Sequence, residues 1–235
     1  MKQLLKYFKW HEYLIYFIAL TSNIVVFLLT SSTDYLNLIA SLIGVTALAF
    51  LAKGNVVGQF LTVIFSTIYA YISYNCAYYG ELITYLFMTT PIAVISIISW
   101  LKHPFEGNKS DVEINEIKNK EYILLGGLSL VVTVVFYFIL DALGTDNIYV
   151  STLSVFTSFT ASYLMFRRSR FYAIAYALND VVLITLWVVK TVQNINYITV
   201  VICFIMFFVY DMLGFINWTK RMIAQRKIKS NSIHS

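Results

Sequence analysis

Two acidic residues stand inside otherwise apolar segments of this sequence. Asp180 lies at the centre of AYALNDVVLITLWVVK (175–190), and Asp211 lies in the apolar run that leads to the basic C-terminus. An aspartate at the centre of a membrane helix costs ~2.5 to 3.5 kcal/mol, so such a residue faces protein or a water-filled cavity rather than lipid. Both carboxylates are predicted to face inward, where they could bind a substrate, carry a proton or pair as in an aspartyl hydrolase.

Other polar residues lie in stripes along the same predicted helices. Steps of about 100° per residue put Tyr172, Tyr176, Asp180 and Trp187 on one face, with Asn179 beside it. Such a face can hydrogen-bond hydroxyl groups and stack against a flat ring.

A second stripe lies in the segment 55–76, where six polar residues follow steps of four, three, four, three and four. Together with polar positions in two further segments, the stripes predict a substrate site. Its members are Gln59, Thr62, Tyr69, Tyr85, Thr89, Tyr176, Asn179, Asp180, Trp187, Tyr210 and Asp211.

Several other residues have plainer interpretations. Glu81 is interpreted as a solvated charge at the membrane boundary, and Trp100 and Trp218 as membrane-interface anchors. A stripe of small residues at close-packing spacing is interpreted as a helix-packing device. That stripe consists of Ser154, Ser158 and Ser162.

These residues must be positioned by membrane helices. The chain of 235 residues is 59% hydrophobic and only 12% charged, which excludes an ordinary soluble domain. Apolar runs of about 20 residues match the ~30 Å hydrocarbon core of a bilayer. Eight such segments are predicted: 11–30, 35–52, 55–76, 82–101, 122–142, 148–166, 171–190 and 195–219.

The positive charges indicate the orientation of these segments. Of the 17 lysines and arginines, all but Lys190 fall on one side of the predicted membrane. Both termini are therefore predicted to be cytoplasmic, in the inner (cell) membrane. The net charge of +5 reflects topology, so a nucleic-acid partner is not predicted.

The predicted order of segments contains two parallel three-helix repeats. The domains are an N-terminal helix (1–34), a first repeat (35–101), a cytoplasmic linker (102–121), a linking helix (122–142), a second repeat (148–219) and a basic tail (220–235). The fold class is an all-α membrane protein in a 3+1+3 arrangement plus an extra N-terminal helix. Parallel repeats of this kind occur in transporters that bind substrate near the midplane.

Motifs for nucleotide hydrolysis, dinucleotide binding or metal binding are absent from the sequence. No cofactor, metal or catalytic residue is predicted, and Cys76 and Cys203 are interpreted as small apolar residues. The chain is expected not to be an enzyme.

Four stretches resemble the nicotinamide riboside transporter (PnuC) family. They are AKGNVVGQFLTVIFSTIYAYISYNCAYYGELITY, SWLKHP, LNDVVLITLW and YDMLGFINW, within residues 35 to 225. The resemblance implies a facilitator with an architecture like that of the SWEET sugar transporters, and a homotrimer. It also implies that Gln59, Asn179, Trp187 and Tyr210 hold the substrate at the midplane.

The expected substrate is nicotinamide riboside or a similar small vitamin-like nucleoside, carried by alternating access across the lipid bilayer. Relatives of the family imply alternatives, which are deoxynucleosides, thiamine and riboflavin. The acids at Asp180 and Asp211 leave this choice open, and they also leave open a proton-coupled carrier that uses Asp180. A carboxylate suits both ribose hydroxyls and a cationic ring.

Overall fold

The protein is described from a computed structural model, which covers residues 9–29, 34–106 and 108–233. Lys2, Lys6, the last residue of the first predicted segment (11–30) and residues 31–33 lie outside the described residues. The helices in the described part are α1 Trp10–Leu29, α2 Tyr35–Leu51, α3 Val57–Asn75, α4 Tyr79–Ile83, α5 Thr90–Lys102, α6 Asn119–Ala142, α7 Ile148–Phe166, α8 Tyr172–Gln193 and α9 Ile198–Ile233. A π-helical turn, Thr84–Thr89, joins α4 to α5, and a 3-10 turn, Ile195–Tyr197, precedes α9.

The predicted all-α membrane fold is confirmed. Among the described residues, seven helical segments are long and apolar enough to cross a membrane, with α4 and α5 forming one of them. The remaining predicted segment, 35–52, corresponds to α2, which is also apolar but has only 17 residues.

Six helical segments form a closed ring. Its order is α2, α3, α4 with α5, α7, α8 and α9, and each segment packs against the next, with α9 returning to α2. Helix α6 packs outside the ring against α7, and α1 packs outside it against α2 and α9. The interior of the ring is therefore lined by all six segments and is shielded from lipid.

The third member of the ring, α4 with α5, changes its helical pitch near its middle. Pro91 follows the π-helical turn and has no backbone N–H to donate within the helix. The Thr90 hydroxyl donates to the Tyr85 carbonyl oxygen at 2.7 Å and contacts the Ser66 hydroxyl on α3 at 2.6 Å. The widened turn brings Tyr85 and Thr89 to the interior of the ring.

The two ends of the ring differ. We call the end with the turns at 52–56 and 167–171 and with residues 103–106 and 108–118 the linker end. We call the end with the turns at 76–78, 143–147 and 194–197 the far end. Helix α9 passes through the linker end and continues beyond it, because its 36 residues exceed what a membrane crossing needs.

The predicted linker is a structured strap across the linker end. Strands β1 (Pro104–Phe105) and β2 (Asn108–Val112) pair antiparallel, and the strap then continues as an extended segment to α6. Val112 N–H donates to the Gly54 carbonyl at 3.2 Å, and Asn115 N–H donates to the Arg168 carbonyl at 3.0 Å. The strap thus bonds to a turn of each half of the ring.

Helix α9 holds the other edge of the strap. The Gln225 side chain accepts from Ile114 N–H at 3.0 Å and donates to the Val112 carbonyl at 3.1 Å. Ion pairs of Arg226 with Glu116 and of Lys229 with Glu113 lie nearer to solvent. The tail is therefore part of the linker-end structure rather than a separate basic segment.

The interpretation of Trp100 and Trp218 as membrane-interface anchors is wrong. Both indoles are buried at the linker end, with their ring centroids 5.6 Å apart. Trp100 Nε1 donates to the Met165 carbonyl at 3.4 Å, and Trp218 Nε1 donates to the Leu51 carbonyl at 3.0 Å. Both indole rings pack inside the protein, where they close the linker end of the helix ring. They therefore do not reach the lipid headgroups.

Candidate functional site

A cavity occupies the interior of the helix ring. Its empty volume is about 610 Å³, including the part that opens to solvent. All six ring segments contribute to its wall, which combines apolar, aromatic, hydroxyl, amide and carboxyl groups. The lining residues are Gly44, Ala47, Leu48, Leu51, Gln59, Thr62, Phe65, Tyr85, Thr89, Ile92, Ala93, Ser96, Met165, Tyr176, Asn179, Asp180, Phe207 and Asp211.

Asp180 on α8 and Asp211 on α9 form a carboxyl pair in this wall. Each side chain is only 3% exposed, and the two lie within hydrogen-bonding reach of each other. A hydrogen bond between two carboxyl groups requires a proton on one of them. Asp180 Oδ2 has no hydrogen-bond partner in the described part of the chain, so it is available to a ligand.

Two further unpartnered polar groups line the same cavity. Gln59 Nε2 on α3 and Ser96 Oγ on α5 are buried, and neither has a hydrogen-bond partner among the described residues. Burying a polar group without a partner costs roughly 1–3 kcal/mol, so such groups mark places where water or a ligand completes the site.

The serine stripe of α7 supports the polar face of α8. Asn179 Oδ1 accepts from Thr157 Oγ1 at 2.7 Å and from Ser158 Oγ at 3.0 Å. The Ser162 hydroxyl pairs with the Tyr176 hydroxyl at 3.0 Å. The interpretation of this stripe as a packing device was therefore incomplete, because its hydroxyls fix the orientation of the Asn179 amide.

An aromatic cluster closes the far end of the cavity. Trp187 Nε1 on α8 donates to the Tyr69 hydroxyl on α3 at 2.5 Å, across the ring. The Tyr69 ring packs against Tyr85, with centroids 4.4 Å apart, and against Phe65, with centroids 5.5 Å apart. Tyr78, in the turn before α4, adds a bond to the Leu186 carbonyl at 3.0 Å. We call this group the aromatic roof.

A second aromatic cluster lies at the linker end of the ring. The Trp100 and Trp218 rings lie there, with Tyr172 packed against Trp218 at a centroid distance of 4.7 Å. The Tyr172 hydroxyl donates to the Leu51 carbonyl at 3.4 Å, next to the bond from Trp218. Val112 of the strap packs into the same buried cluster. We call this group the aromatic floor.

Most of the sequence-predicted site residues come together in one place. Eight of the eleven line the central cavity: Gln59, Thr62, Tyr85, Thr89, Tyr176, Asn179, Asp180 and Asp211. Tyr69 and Trp187 belong to the aromatic roof and are already bonded to each other.

Tyr210 lies away from the central cavity. It lines a smaller cavity that also contains Glu12 and Lys53, which form an ion pair at 2.8 Å between α1 and the end of α2. Its hydroxyl has no hydrogen-bond partner among the described residues. Tyr210 and Asp211 are sequence neighbours on one helix, so their side chains point about 100° apart and reach different surroundings.

Sequence reasoning missed Phe65 and Phe207, which line the cavity, because an aromatic residue in an apolar segment carries no distinguishing signal. It was also wrong about Glu81, which is fully buried rather than solvated. The Ser154 hydroxyl on α7 donates to Glu81 Oε1. A position in the first helical turn, close to the predicted membrane boundary, made the carboxylate look exposed.

Comparisons with known proteins agree with this architecture. A crystal structure of the vitamin B3 transporter PnuC superposes with a TM-score of 0.82 at 24% sequence identity, covering 93% of this chain and 94% of that one. That likeness establishes the fold.

Two curated proteins are also similar to this chain. The nicotinamide riboside transporter PnuC of Neisseria mucosa is 26% identical over 214 residues, which are 88% of this chain and 80% of that protein. The transporter of the same name from Haemophilus influenzae is 22% identical over 80% of each chain.

Residues 34–220 match the family model described as nicotinamide mononucleotide transporter. The match spans most of the sequence, and the chain therefore belongs to this transporter family, which includes the PnuC proteins.

Proposed function

We propose that this protein carries nicotinamide riboside across the membrane through the central cavity. The family is one of transporters, so the chain is a membrane transporter and not an enzyme. The names of its relatives point to two related solutes, a riboside and a mononucleotide, which differ by one phosphate group.

The charge of the cavity wall favours the riboside over the mononucleotide. Asp180 and Asp211 line the cavity, and no lysine or arginine is among the described residues that line it. A phosphate adds about −1.5 to −2 charges at neutral pH and needs cationic or N–H partners in a buried site. The riboside has no phosphate and carries a cationic ring, so it suits this wall and the mononucleotide does not.

The remaining wall suits the rest of the riboside. Gln59, Thr62, Thr89, Tyr176 and Asn179 supply hydrogen-bonding groups for the ribose hydroxyls and the carboxamide. Phe65, Tyr85 and Phe207 supply ring faces and edges for the pyridinium. In this proposal Trp187 and Tyr69 close the site above the substrate, and Tyr210 acts only through the packing of α9 against α1.

We also propose that the ring consists of two parallel three-helix units, α2 to α5 and α7 to α9, as the predicted domains imply. Reciprocal contacts support this proposal. The last helix of each unit donates a tryptophan N–H, from Trp100 or Trp218, to a carbonyl at the end of the first helix of the other unit. A SWEET-like arrangement accounts for such a pattern.

Eight crossings with both termini in the cytoplasm complete the proposed topology. At 1.5 Å per residue α2 is about 26 Å long, which falls at the short end of what spans a bilayer. The linker end holds the described basic residues at 53, 102 and 167–170 and those of the tail, so the linker end is assigned to the cytoplasm. The homotrimer stays a prediction from the family resemblance, to be tested by light scattering of the purified protein.

Transport then consists of opening one end of the cavity at a time. The roof and the floor both join the two proposed units, so rocking of the units would break one set of bonds while the other set holds. The driving force is the substrate gradient alone.

Deoxynucleosides, thiamine and riboflavin suit the cavity wall less well than the riboside does. Among them only thiamine is cationic, and its positively charged ring carries bulkier substituents.

Counterflow in liposomes tests the proposed function. Vesicles loaded with unlabelled nicotinamide riboside should take up the labelled riboside, while labelled mononucleotide, thymidine and riboflavin should not enter above protein-free vesicles. Counterflow of the mononucleotide at a rate equal to that of the riboside would contradict the charge argument.

A further inference from the structure

Glu81 is a buried carboxyl group that the central site does not use. It lies in the first turn of α4, its side chain is 0% exposed, and Oε1 accepts a hydrogen bond from Ser154 on α7. Oε2 has no hydrogen-bond partner in the described part of the chain. Removing an ionised carboxylate from water costs several kcal/mol unless a partner compensates it, so a residue in this position calls for an explanation.

The described surroundings of Glu81 supply no compensating charge. Among the described residues it forms no ion pair, and Lys190, which lies at the same end of the ring, pairs with Asp146 at 3.5 Å. Thr84, one helical turn further along the same face, has a fully buried hydroxyl that also has no partner there. Two unpartnered oxygen groups thus lie side by side without a cation.

Glu81 also lies close to the aromatic roof along the same helical segment. Tyr85 follows it by four residues, about one helical turn, and the Tyr85 ring contacts the Tyr69 ring in the roof with centroids 4.4 Å apart. Tyr85 also lines the central cavity, whose wall holds Asp180 and Asp211. Tyr85 therefore links the surroundings of Glu81 to the cavity that contains the carboxyl pair.

The hydrogen bond to Ser154 crosses between the two proposed units, because Glu81 belongs to the first and Ser154 to the second. An opening of the far end would separate these units at this seam. It would expose the carboxylate to water and to solute at the same moment as it broke the bond between Tyr69 and Trp187.

We propose that Glu81 is an outer subsite for the positive charge of the substrate. It would bind an organic monocation, such as an N-substituted pyridinium, in the far-end-open state and pass it under Tyr85 to the Asp180 and Asp211 pair. This inference rests on the proposed function, since it names a second step for the same solute. In the closed state Ser154 satisfies half of the carboxyl group while the other half stays unpartnered.

The test separates binding at the outer subsite from binding in the cavity. Glu81→Gln keeps the shape and removes the charge, so the KM for uptake of nicotinamide riboside should rise at least fivefold. Equilibrium affinity in detergent, measured by calorimetry, should stay within twofold because the central pair is intact. Glu81→Asp keeps the charge and should recover most of the uptake KM. Asp180→Asn, as the matched cavity variant, should weaken both quantities.

Ser154→Ala distinguishes a charge role from a structural one. It removes the hydrogen bond and leaves the carboxylate, so it should lower the melting temperature but keep the KM within twofold of the parent. An unchanged KM in Glu81→Gln would overturn the subsite, and so would a rise in Ser154→Ala equal to that in Glu81→Gln.

Failure of the proposed function gives a different result. If the parent protein shows no counterflow of nicotinamide riboside, the Glu81 subsite is tested with 1-methylnicotinamide, a pyridinium cation without ribose. Measured in an Asp180→Asn and Asp211→Asn background, its affinity should fall at least fivefold on adding Glu81→Gln and recover with Glu81→Asp. Equal affinity in all three proteins would overturn the subsite independently of the transported solute.

Discussion

The indole rings of Trp100 and Trp218 pack against each other at the linker end, with centroids 5.6 Å apart, and each donates its N–H to a backbone carbonyl of the neighbouring segment in the ring. Their bonds have different lengths, 3.4 Å for Trp100 and 3.0 Å for Trp218. The buried carbonyls at Met165 and Leu51 are the acceptors. The pair thus joins the two halves of the ring through both packing and hydrogen bonding.

Trp218→Phe should destabilise the protein more than Trp100→Phe. Each change keeps most of the aromatic packing and removes one donor, and the shorter bond is expected to contribute more, roughly 1 kcal/mol. The expected decrease in melting temperature for Trp218→Phe is about 2–4 °C for a chain of this size. Thermal unfolding in detergent measures both variants, and a larger decrease for Trp100→Phe would contradict the ranking.

Asp180→Asn should weaken substrate binding and leave the fold intact. The variant preserves shape and removes the charge, so the expected loss is about 1.5–3 kcal/mol, the scale of a charge-assisted hydrogen bond. Calorimetric titration with nicotinamide riboside gives the affinity, and ligand-dependent melting gives the stability of the same sample. A variant that melts early and binds normally would show that Asp180 only holds α8 against α9.

Tyr69→Phe should loosen the aromatic roof. The change removes the acceptor of the Trp187 N–H and leaves this indole group buried without a partner, at an expected cost of roughly 1–3 kcal/mol. The closed far end should become less populated, so a cysteine introduced at Thr89 in the cavity should react faster with an impermeant thiol reagent added at the far end. The double variant Tyr69→Phe with Trp187→Phe removes both partners of the bond, so it serves as the control in which neither group is left buried without the other.

Gln225 should stabilise the packing of the strap against α9. Gln225→Ala removes two hydrogen bonds to backbone groups of residues 112 and 114, and the expected loss of stability is roughly 2 kcal/mol. Arg226→Ala, next to it on the same helix, removes an exposed ion pair with Glu116, for which about 0–1 kcal/mol is expected. Thermal unfolding of the two variants side by side measures the difference, and equal effects would contradict the larger contribution expected from Gln225.

The proposed topology predicts opposite labelling of two introduced cysteines. Glu116→Cys lies in the strap and Leu143→Cys in the turn between α6 and α7, and both positions are exposed. An impermeant thiol reagent added to intact cells should label position 143 and not position 116. The native Cys76 and Cys203 are buried, so their background should be low. Labelling of position 116 would reverse the assignment of the two ends.

The sequence by itself determined the helical segments, the inward orientation of Asp180 and Asp211, and most of the polar residues of the cavity wall. These follow from local quantities, because the length of an apolar run and the 3.6-residue period depend on the segment alone. Eight of the eleven predicted site residues line the cavity for this reason.

Only the tertiary structure decided what covers each helical face. The period places Tyr69 and Trp187 on inward faces, but their mutual hydrogen bond depends on the distance between α3 and α8. Glu81 is buried because Ser154 of a distant segment packs on it, 73 residues along the chain. Tyr210 faces a smaller cavity beside Glu12 and Lys53 rather than the central cavity. A helical face is fixed by local geometry, whereas its neighbour is fixed by the packing of the whole ring, which no single segment encodes.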